Sequence, residues 1–450
     1  MDIQSVHDFI EEERAYALET WKNLVRIPSV AAKNMGVEEC CGALVKMLEE
    51  LGVKTQVLPT KGSPVVFGEL PCSKPNAKTI MFYGHYDVQP PDPLEEWNTQ
   101  PFEPTEVDGR LYGRGTADNK GQFLAHILAL RAYLRTNTEL PVNVKFFLEG
   151  EEENGSKNIL DCIVPHKDLL KCDLVYNADG GLQPDGRPYI QFGVRGMLQA
   201  TLELTTATRD NHSGKSGGTI PSAAWEMVKF LNTLIDENGN CAIKGFYDDV
   251  VPPTAYDMHL IDLLDFNKEE QKAVTGAKEI KLNKNDFFLN MMFRPTFNIN
   301  GLNSGYTGVG YRTIVPGYAI AKLDFRLVEA QDPEDICKKL MAHVNKHCPD
   351  MKVTIGSHLL PSKTPPDLPV SQAVIRAVGR AYRKQPVVMS STGATNPEYV
   401  FTKIAGLSSV CVPYANADEC NHAPNENMDI ELFFKGIHAS AEVMKEIGML

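Results

Sequence analysis

Four short apolar runs, each stopping abruptly at a cluster of polar residues, constrain this chain more than any other feature. Residues 78–83 run into Gly84-His85-Tyr86-Asp87, and residues 142–148 into Glu149-Gly150-Glu151-Glu152-Glu153. Residues 173–178 run into Asp179-Gly180-Gly181, and residues 408–414 are followed a little later by Asn421-His422. Short apolar runs bounded by turn residues read as buried strands. Between them apolar side chains recur at helical spacing. Residues 119–135 carry Phe123, Leu124, Ile127, Leu128, Leu130 and Leu134, and 5–26, 38–51 and 371–384 are helical too. This alternation predicts an α/β domain, a mostly parallel sheet with helices on both faces. Ligands of such sheets bind in the crevice beyond the carboxyl ends of the strands. The polar clusters, with Gly113-Arg114-Gly115-Thr116-Ala117-Asp118-Asn119-Lys120 between the first two, are expected to converge there.

The texture changes near residue 193. Residues 197–206 and 318–327 alternate like half-exposed strands, with helices over 222–236 and 333–347. This predicts an α+β domain of antiparallel strands. Residues 361–369 hold four prolines and read as a linker back to the first domain. The expected division is 1–192 and 364–450 for the catalytic domain, with 193–363 inserted as a lid and dimerisation domain.

The net charge of −13 argues against nucleic acid and anionic membrane, which need a basic footprint. Residues 1–13 lack the layout of a signal peptide, and no apolar run reaches 18 residues. Ten cysteines without a C-x-x-C pair read as reduced thiols. The expectation is a cytoplasmic protein with no zinc-ribbon site.

Two histidines and several carboxylates in one crevice form a ligand set for one or two divalent metals, Zn, Mn or Co before Ca. Two such ions bring four positive charges, which Asp118, Glu153, Asp179 and one further carboxylate would balance. Asp87, two residues after His85, faces the same side of an extended stretch and is placed to fix that ring's tautomer. Each signal has a plainer reading: a lone histidine is most often core or surface, and a run of glutamates is most often solvated. The strand-end placement weighs against those readings. The Gly-x-Gly at 113–115 lacks the third glycine of a dinucleotide fold, and no phosphate loop, G-x-S-x-G or H-E-x-x-H motif occurs. Asn211-His212-Ser213-Gly214 alone reads as a surface loop.

Taken together, residues 84–90 (Gly-His-Tyr-Asp-Val-Gln-Pro), 111–121 (Leu-Tyr-Gly-Arg-Gly-Thr-Ala-Asp-Asn-Lys-Gly), 149–156 (Glu-Gly-Glu-Glu-Glu-Asn-Gly-Ser) and 210–214 (Asp-Asn-His-Ser-Gly) resemble the co-catalytic di-metal peptidase family, in its carnosinase and non-specific dipeptidase branch. The resemblance implies two divalent ions per subunit, Zn or Mn before others. His85 and Asp179 would hold one, Glu153 and His422 the other, and Asp118 both. It implies Glu152 as general base, Asp87 as the orienter of His85, and a cis Asp118–Asn119 peptide. A water bridging the two metals would hydrolyse the amide bond of dipeptides or short peptides. It also implies a homodimer in which His212 reaches the neighbouring subunit's active site, with Thr313, Arg326 and Gly393 contacting substrate. Where relatives often carry Gly-Ser-Ile-Pro, this chain has Ser-Thr-Gly-Ala-Thr-Asn-Pro over 391–397. The alternative activity is an N-acyl-amino-acid amidohydrolase, which Asp rather than Glu at 179 weighs against. A metal-binding scaffold without catalysis would lack Glu152.

Overall fold

The computed structural model describes residues 3–450, so Met1 and Asp2 of the acidic N-terminal segment lie outside the described residues. The chain forms two compact units. One comprises the residues up to Gly193, Lys363–Ser390 and Asn396–Leu450; the other comprises Val194–Ser362 and Ser391–Thr395. The sequence had placed 391–395 with the closing segment of the first domain. Instead this stretch is tied into the second unit: the Arg195 amide donates to Ala394 O (3.0 Å), Arg326 Nη1 donates to Thr395 Oγ1 (2.9 Å), and Val194 bridges Thr392.

In the first unit an eight-stranded sheet runs in the order Lys54–Leu58, Val65–Leu70, Asn143–Glu149, Thr79–His85, Leu174–Asn177, Ser409–Cys411, Tyr189–Gln191, Val387–Met389. Its centre is parallel, and the 54–58 and 65–70 strands at one edge are antiparallel. The central strands are buried on both faces, which is why they read as continuous apolar runs. Thr79–His85 shows how. Phe82 stacks on His126 of the helix Lys120–Arg135 (4.6 Å between ring centres), while Tyr83, pointing the other way, meets Phe401 edge-on (5.1 Å). The expected helix over 5–26 is two helices, Gln4–Glu12 and Arg14–Val25, parted at Glu13, whose carboxylate pairs with Arg131 at 2.9 Å.

Parallel register aligns the strand ends that matter: His85 lies opposite Glu149, Tyr83 opposite Asn177, and Cys411 opposite Asn177. The loop 113–119 reaches the same place by another route, since it ends no strand of this sheet. The short strand Arg110–Tyr112 pairs with Asn427–Asp429, Tyr112 facing Asn427, which sets Glu426 against the loop. The buried Glu426 carboxylate accepts the amides of Gly115 (3.0 Å), Ala117 (2.9 Å) and Asp118 (2.9 Å), and Arg114 Nη1 donates to it at 2.7 Å. Gly115 sits at φ +89°, where a side chain would be strained. The Asp118–Asn119 peptide is cis.

The second unit is an antiparallel sheet in the order Thr296–Ser304, Tyr318–Leu327, Gly196–Thr205, Lys352–Leu359. Leu198, Ala200, Leu202, Leu204, Leu323 and Phe325 of one face pack with Met227 and Phe230 of the helix Ala223–Thr233 and Leu340 of Pro333–His347. The alternation in the sequence was this one-sided burial. No helix among the described residues is long and apolar enough to cross a membrane.

Two predictions follow from this packing. His126 is wholly buried, its Nδ1 2.8 Å from Ser440 Oγ and its Nε2 without a partner, and burial holds its pKa down at about 3, below the ordinary 6.5. The unfolded chain therefore takes up a proton below pH 6.5 that the folded chain refuses, so stability falls as pH falls from 6.5 towards 3. His126→Phe should flatten the urea-melt stability profile across that window by about 1.4 kcal/mol per pH unit. Glu426→Gln should cost about 3–5 kcal/mol in the same melts, because it leaves the Arg114 charge buried and unpaired. In an Arg114→Met background the same change should cost markedly less.

Candidate metal centre

His85 closes its strand fully buried. Its Nδ1 lies 3.1 Å from the Asp87 carbonyl oxygen and 3.5 Å from Asp87 Oδ1. The main chain of Asp87 thus stands closer to the ring than its carboxylate, the group named from the sequence. That carboxylate is engaged elsewhere: Oδ1 accepts the Glu152 amide and Oδ2 the Glu153 amide, both at 3.1 Å. One aspartate therefore ties the His85 strand end to the turn carrying the glutamates.

His85 Nε2 lies 3.0 Å from Asp118 Oδ1 and 3.6 Å from Asp179 Oδ2, yet makes no hydrogen bond. Across Asp118, His422 Nε2 lies 3.1 Å from Asp118 Oδ2 and 3.1 Å from Glu153 Oε2. The result is two groups of ligand atoms, His85/Asp118/Asp179 and Asp118/Glu153/His422, which share Asp118. Glu153 is held from behind by Gln89, whose amide donates to Oε1 (3.1 Å) and whose Nε2 donates to Oε2 (2.8 Å). Glu152, one residue earlier, belongs to neither group.

The charges show what this arrangement lacks. Burial works against a charged His85, but Asp118, Asp179 and Asp87 outweigh it and hold its pKa well above the ordinary value. Asp118 and Glu153 raise that of the half-exposed His422 to about 10. Burial raises Glu152 well above the carboxylate range; His85 opposes this, while Asp179 and Asp118 add to it. For Asp118 burial is outweighed by the two histidines, which hold its pKa low. Each shift at the two imidazoles comes from negative charge crowded round ring nitrogens that bind protons through their lone pairs. Divalent cations compete for the same lone pairs. The unpartnered His85 Nε2 and the mixed imidazole and carboxylate donors fit two such ions, with Asp118 able to serve both.

The substrate residues expected from the sequence all fall in the second unit. His212 and Thr313 are exposed and adjoining: Asn211–His212 pairs with Ile314–Val315, and the Ser213 amide donates to Thr313 O at 2.8 Å. His212 Nδ1 accepts the Gly214 amide, leaving Nε2 free of that bond. Arg326 is held by Asp324 (3.1 Å) and by Thr395, two residues beyond Gly393. A Cβ at Gly393 would meet only Met291 Cγ at 3.7 Å, an ordinary contact.

Sequence reading missed several residues. Glu149 was noted without a role; it is buried and accepts the Tyr83 and Ser156 hydroxyls, Ser156 at 2.8 Å, bracing the turn behind the glutamates. Gly150 allows Tyr86 to pack where a Cβ would come within 2.4 Å of the ring. Glu398 and Glu419 are buried, each with a carboxylate oxygen that takes no hydrogen bond. Glu426 follows His422 by four residues with no local pattern to mark it; only the pairing of 427–429 with 110–112 reveals its place.

Comparison with known proteins agrees with this geometry. The human "Beta-Ala-His dipeptidase" is 30% identical over 443 residues, covering 95% of this chain and 86% of its own. The "Cys-Gly metallodipeptidase dug1" of Schizosaccharomyces pombe is 26% identical over 476 residues, covering 100% and 99%. Among solved structures, the "M20 family metallo-carboxypeptidase Sso-CP2 from Sulfolobus solfataricus" superposes with a TM-score of 0.83 at 37% identity, covering 96% of this chain and 99% of that one. Human carnosine dipeptidase 1 gives 0.74 at 28% identity, covering 100% and 99%. Residues 81–446, from within the His85 strand to the last helix, match the sequence model of one peptidase family, and the chain belongs to it: peptidase family M20/M25/M40.

Proposed function

We propose that this protein is a dipeptidase that hydrolyses the amide bond of short peptides with two divalent ions, Zn or Mn, held by His85, Asp118, Glu153, Asp179 and His422. The observation that carries the reading is the pair of ligand groups sharing Asp118, with a buried carboxylate, Glu152, beside them and outside both. When bound, two such ions lower the pKa of a water towards 7 and polarise the scissile carbonyl. Glu152 then takes the water's proton and passes it to the leaving amine, a role for which a raised carboxyl pKa is suited. Asp87 holds the Glu152 and Glu153 amides, so base and ligand keep a fixed spacing.

Two relatives carry dipeptidase in their names, which favours this reading over an N-acyl-amino-acid amidohydrolase. A dipeptidase and a carboxypeptidase both act beside a free carboxylate. Arg326, a planar fork of donors kept in place by Asp324 and Thr395, suits that group, with Thr313 and Gly393 contributing. His212, exposed on its short strand, would stabilise the oxyanion in a partner subunit. A homodimer through the second unit is supported by its exposed apolar surface: Trp225 and Val228 on one helix, and Ile299 and Leu302 on the edge strand. The proposed compartment is the cytoplasm, in keeping with ten unpaired cysteines.

Exhaustive chelation should abolish hydrolysis of an Ala-Ala panel substrate, and Zn²⁺ or Mn²⁺ should restore it. Glu152→Gln should keep two metals by elemental analysis while kcat falls by about 10²–10⁴-fold, the range of a lost general base. Glu153→Gln should instead lose metal. A shared site makes a further demand. Mixing His212→Ala with Glu152→Gln subunits should recover about a quarter of wild-type activity, because half the dimers then hold one intact composite site. Recovery of nothing after verified subunit exchange would confine each active site to one chain.

A further inference from the structure

Asparagine is among the side chains best suited to the residue that opens a helix, because its oxygen can accept an amide of the first turn. Asn119 stands at that place before the helix Lys120–Arg135, yet its side chain makes no such bond. It turns the other way and is wholly buried. Nδ2 donates to Ala178 O at 2.7 Å, and Oδ1 accepts the His85 amide at 3.4 Å. Glycine at 84 leaves room for this: a Cβ there would stand 3.0 Å from Asn119 Oδ1 and 2.5 Å from Phe123 Cβ.

Both bonds land on main chain at or next to a ligand. His85 is itself a ligand, Ala178 precedes Asp179, and Asn119 follows Asp118. One carboxamide thus joins the three segments that carry the group His85/Asp118/Asp179. Neither bond reaches the segments of Glu153 or His422, the other members of the second group. Glu153 has a carboxamide of its own. Gln89 Nε2 donates to Glu153 Oε2 at 2.8 Å, the oxygen that lies 3.1 Å from His422 Nε2. A carboxamide fits both posts for the same reason. It carries donors and an acceptor side by side, and it adds no charge to a rim already crowded with carboxylates.

Resting on the two-metal reading, we propose that Asn119 and Gln89 are positioning residues that divide the two ions between them: Asn119 sets the affinity of the ion at His85 and Asp179, and Gln89 that of the ion at Glu153 and His422. Asn119 gives up the helix cap to fix where three ligands leave the main chain. Gln89 holds the Glu153 carboxylate in the rotamer that faces His422. Ligands held at their spacing before an ion arrives lose less freedom when it binds.

The test measures Zn²⁺ affinity by competition with a chelator, with no turnover needed. Two backgrounds isolate the ions. His422→Ala keeps the His85/Asp118/Asp179 group, and Asp179→Ala keeps the Asp118/Glu153/His422 group. In the first, Asn119→Ala should weaken the remaining ion by about 10- to 100-fold while Gln89→Ala leaves it within about threefold; in the second the two variants should exchange effects. Asn119→Ser is made beside Asn119→Ala, since a hydroxyl can hydrogen-bond in that buried place but cannot join two main chains. It should weaken the same ion. Variants that weaken both ions alike overturn the assignment, because a general loosening of the sheet rim would do that. Unchanged affinities overturn it too, as does failure of both Asn119 variants to fold, which would make the residue part of the fold alone. An unmutated chain that takes up fewer than two Zn²⁺ ions sinks the two-metal reading instead.

Discussion

Asp118 holds the centre together, and Asp118 is placed by a buried carboxylate just before the strand Asn427–Asp429: Glu426. Four donors converge on that one buried group, the amides of 115, 117 and 118 and the Arg114 guanidinium. A loop that crosses from a peripheral strand to the helix Lys120–Arg135 is thereby as fixed as a strand. The fixity matters because Asp118 must face two imidazoles at once, at 3.0 and 3.1 Å. A loop free to shift by an ångström could satisfy one histidine only. Charged hydrogen bonds in a dry interior are strong, and removing one partner is costly, so the arrangement resists drift.

Negative charge is the second organising fact. Asp87, Asp118, Glu149, Glu152, Glu153 and Asp179 all crowd one end of the sheet, and Glu398, Glu419 and Glu426 add to them. Among the described residues, the one arginine or lysine paired with these carboxylates is Arg114, with Glu426. Burial and mutual repulsion raise the pKa values of Glu152, Asp179, Glu398 and Glu419, that of Glu419 to about 9. Such a site is stable when cations fill it. The family relationship and the two ligand groups both point to divalent metal ions.

The two units solve different packing problems. A sheet buried on both faces lets parallel strands deliver His85, Glu149 and Asp179 to one rim, because equal register brings equal ends. The antiparallel sheet of the second unit has a single buried face, and His212 and Thr313 are exposed.

What the sequence determined by itself were the features that repeat with a local period. Continuous apolar runs implied buried parallel strands, alternation implied a half-covered antiparallel sheet, and polar residues at run ends implied a crevice lined by two histidines and several carboxylates. The sorting of ligands between two metals and the role of Glu152 came only from resemblance, and neither Asp118 nor His422 directly ends a strand of the sheet. Tertiary structure alone decided the rest. It gave the Asp87 carboxylate to two amides and left the His85 ring nearest a carbonyl; it placed 391–395 in the second unit; and it brought Glu426 to a loop more than 300 residues earlier in the chain. It also left one carboxylate oxygen of the buried Glu398 without a hydrogen bond. The physical reason is range. Periodicity reports on neighbours a few residues apart, whereas a carboxylate's hydrogen bonds, burial and charge depend on groups that only the folded chain brings together.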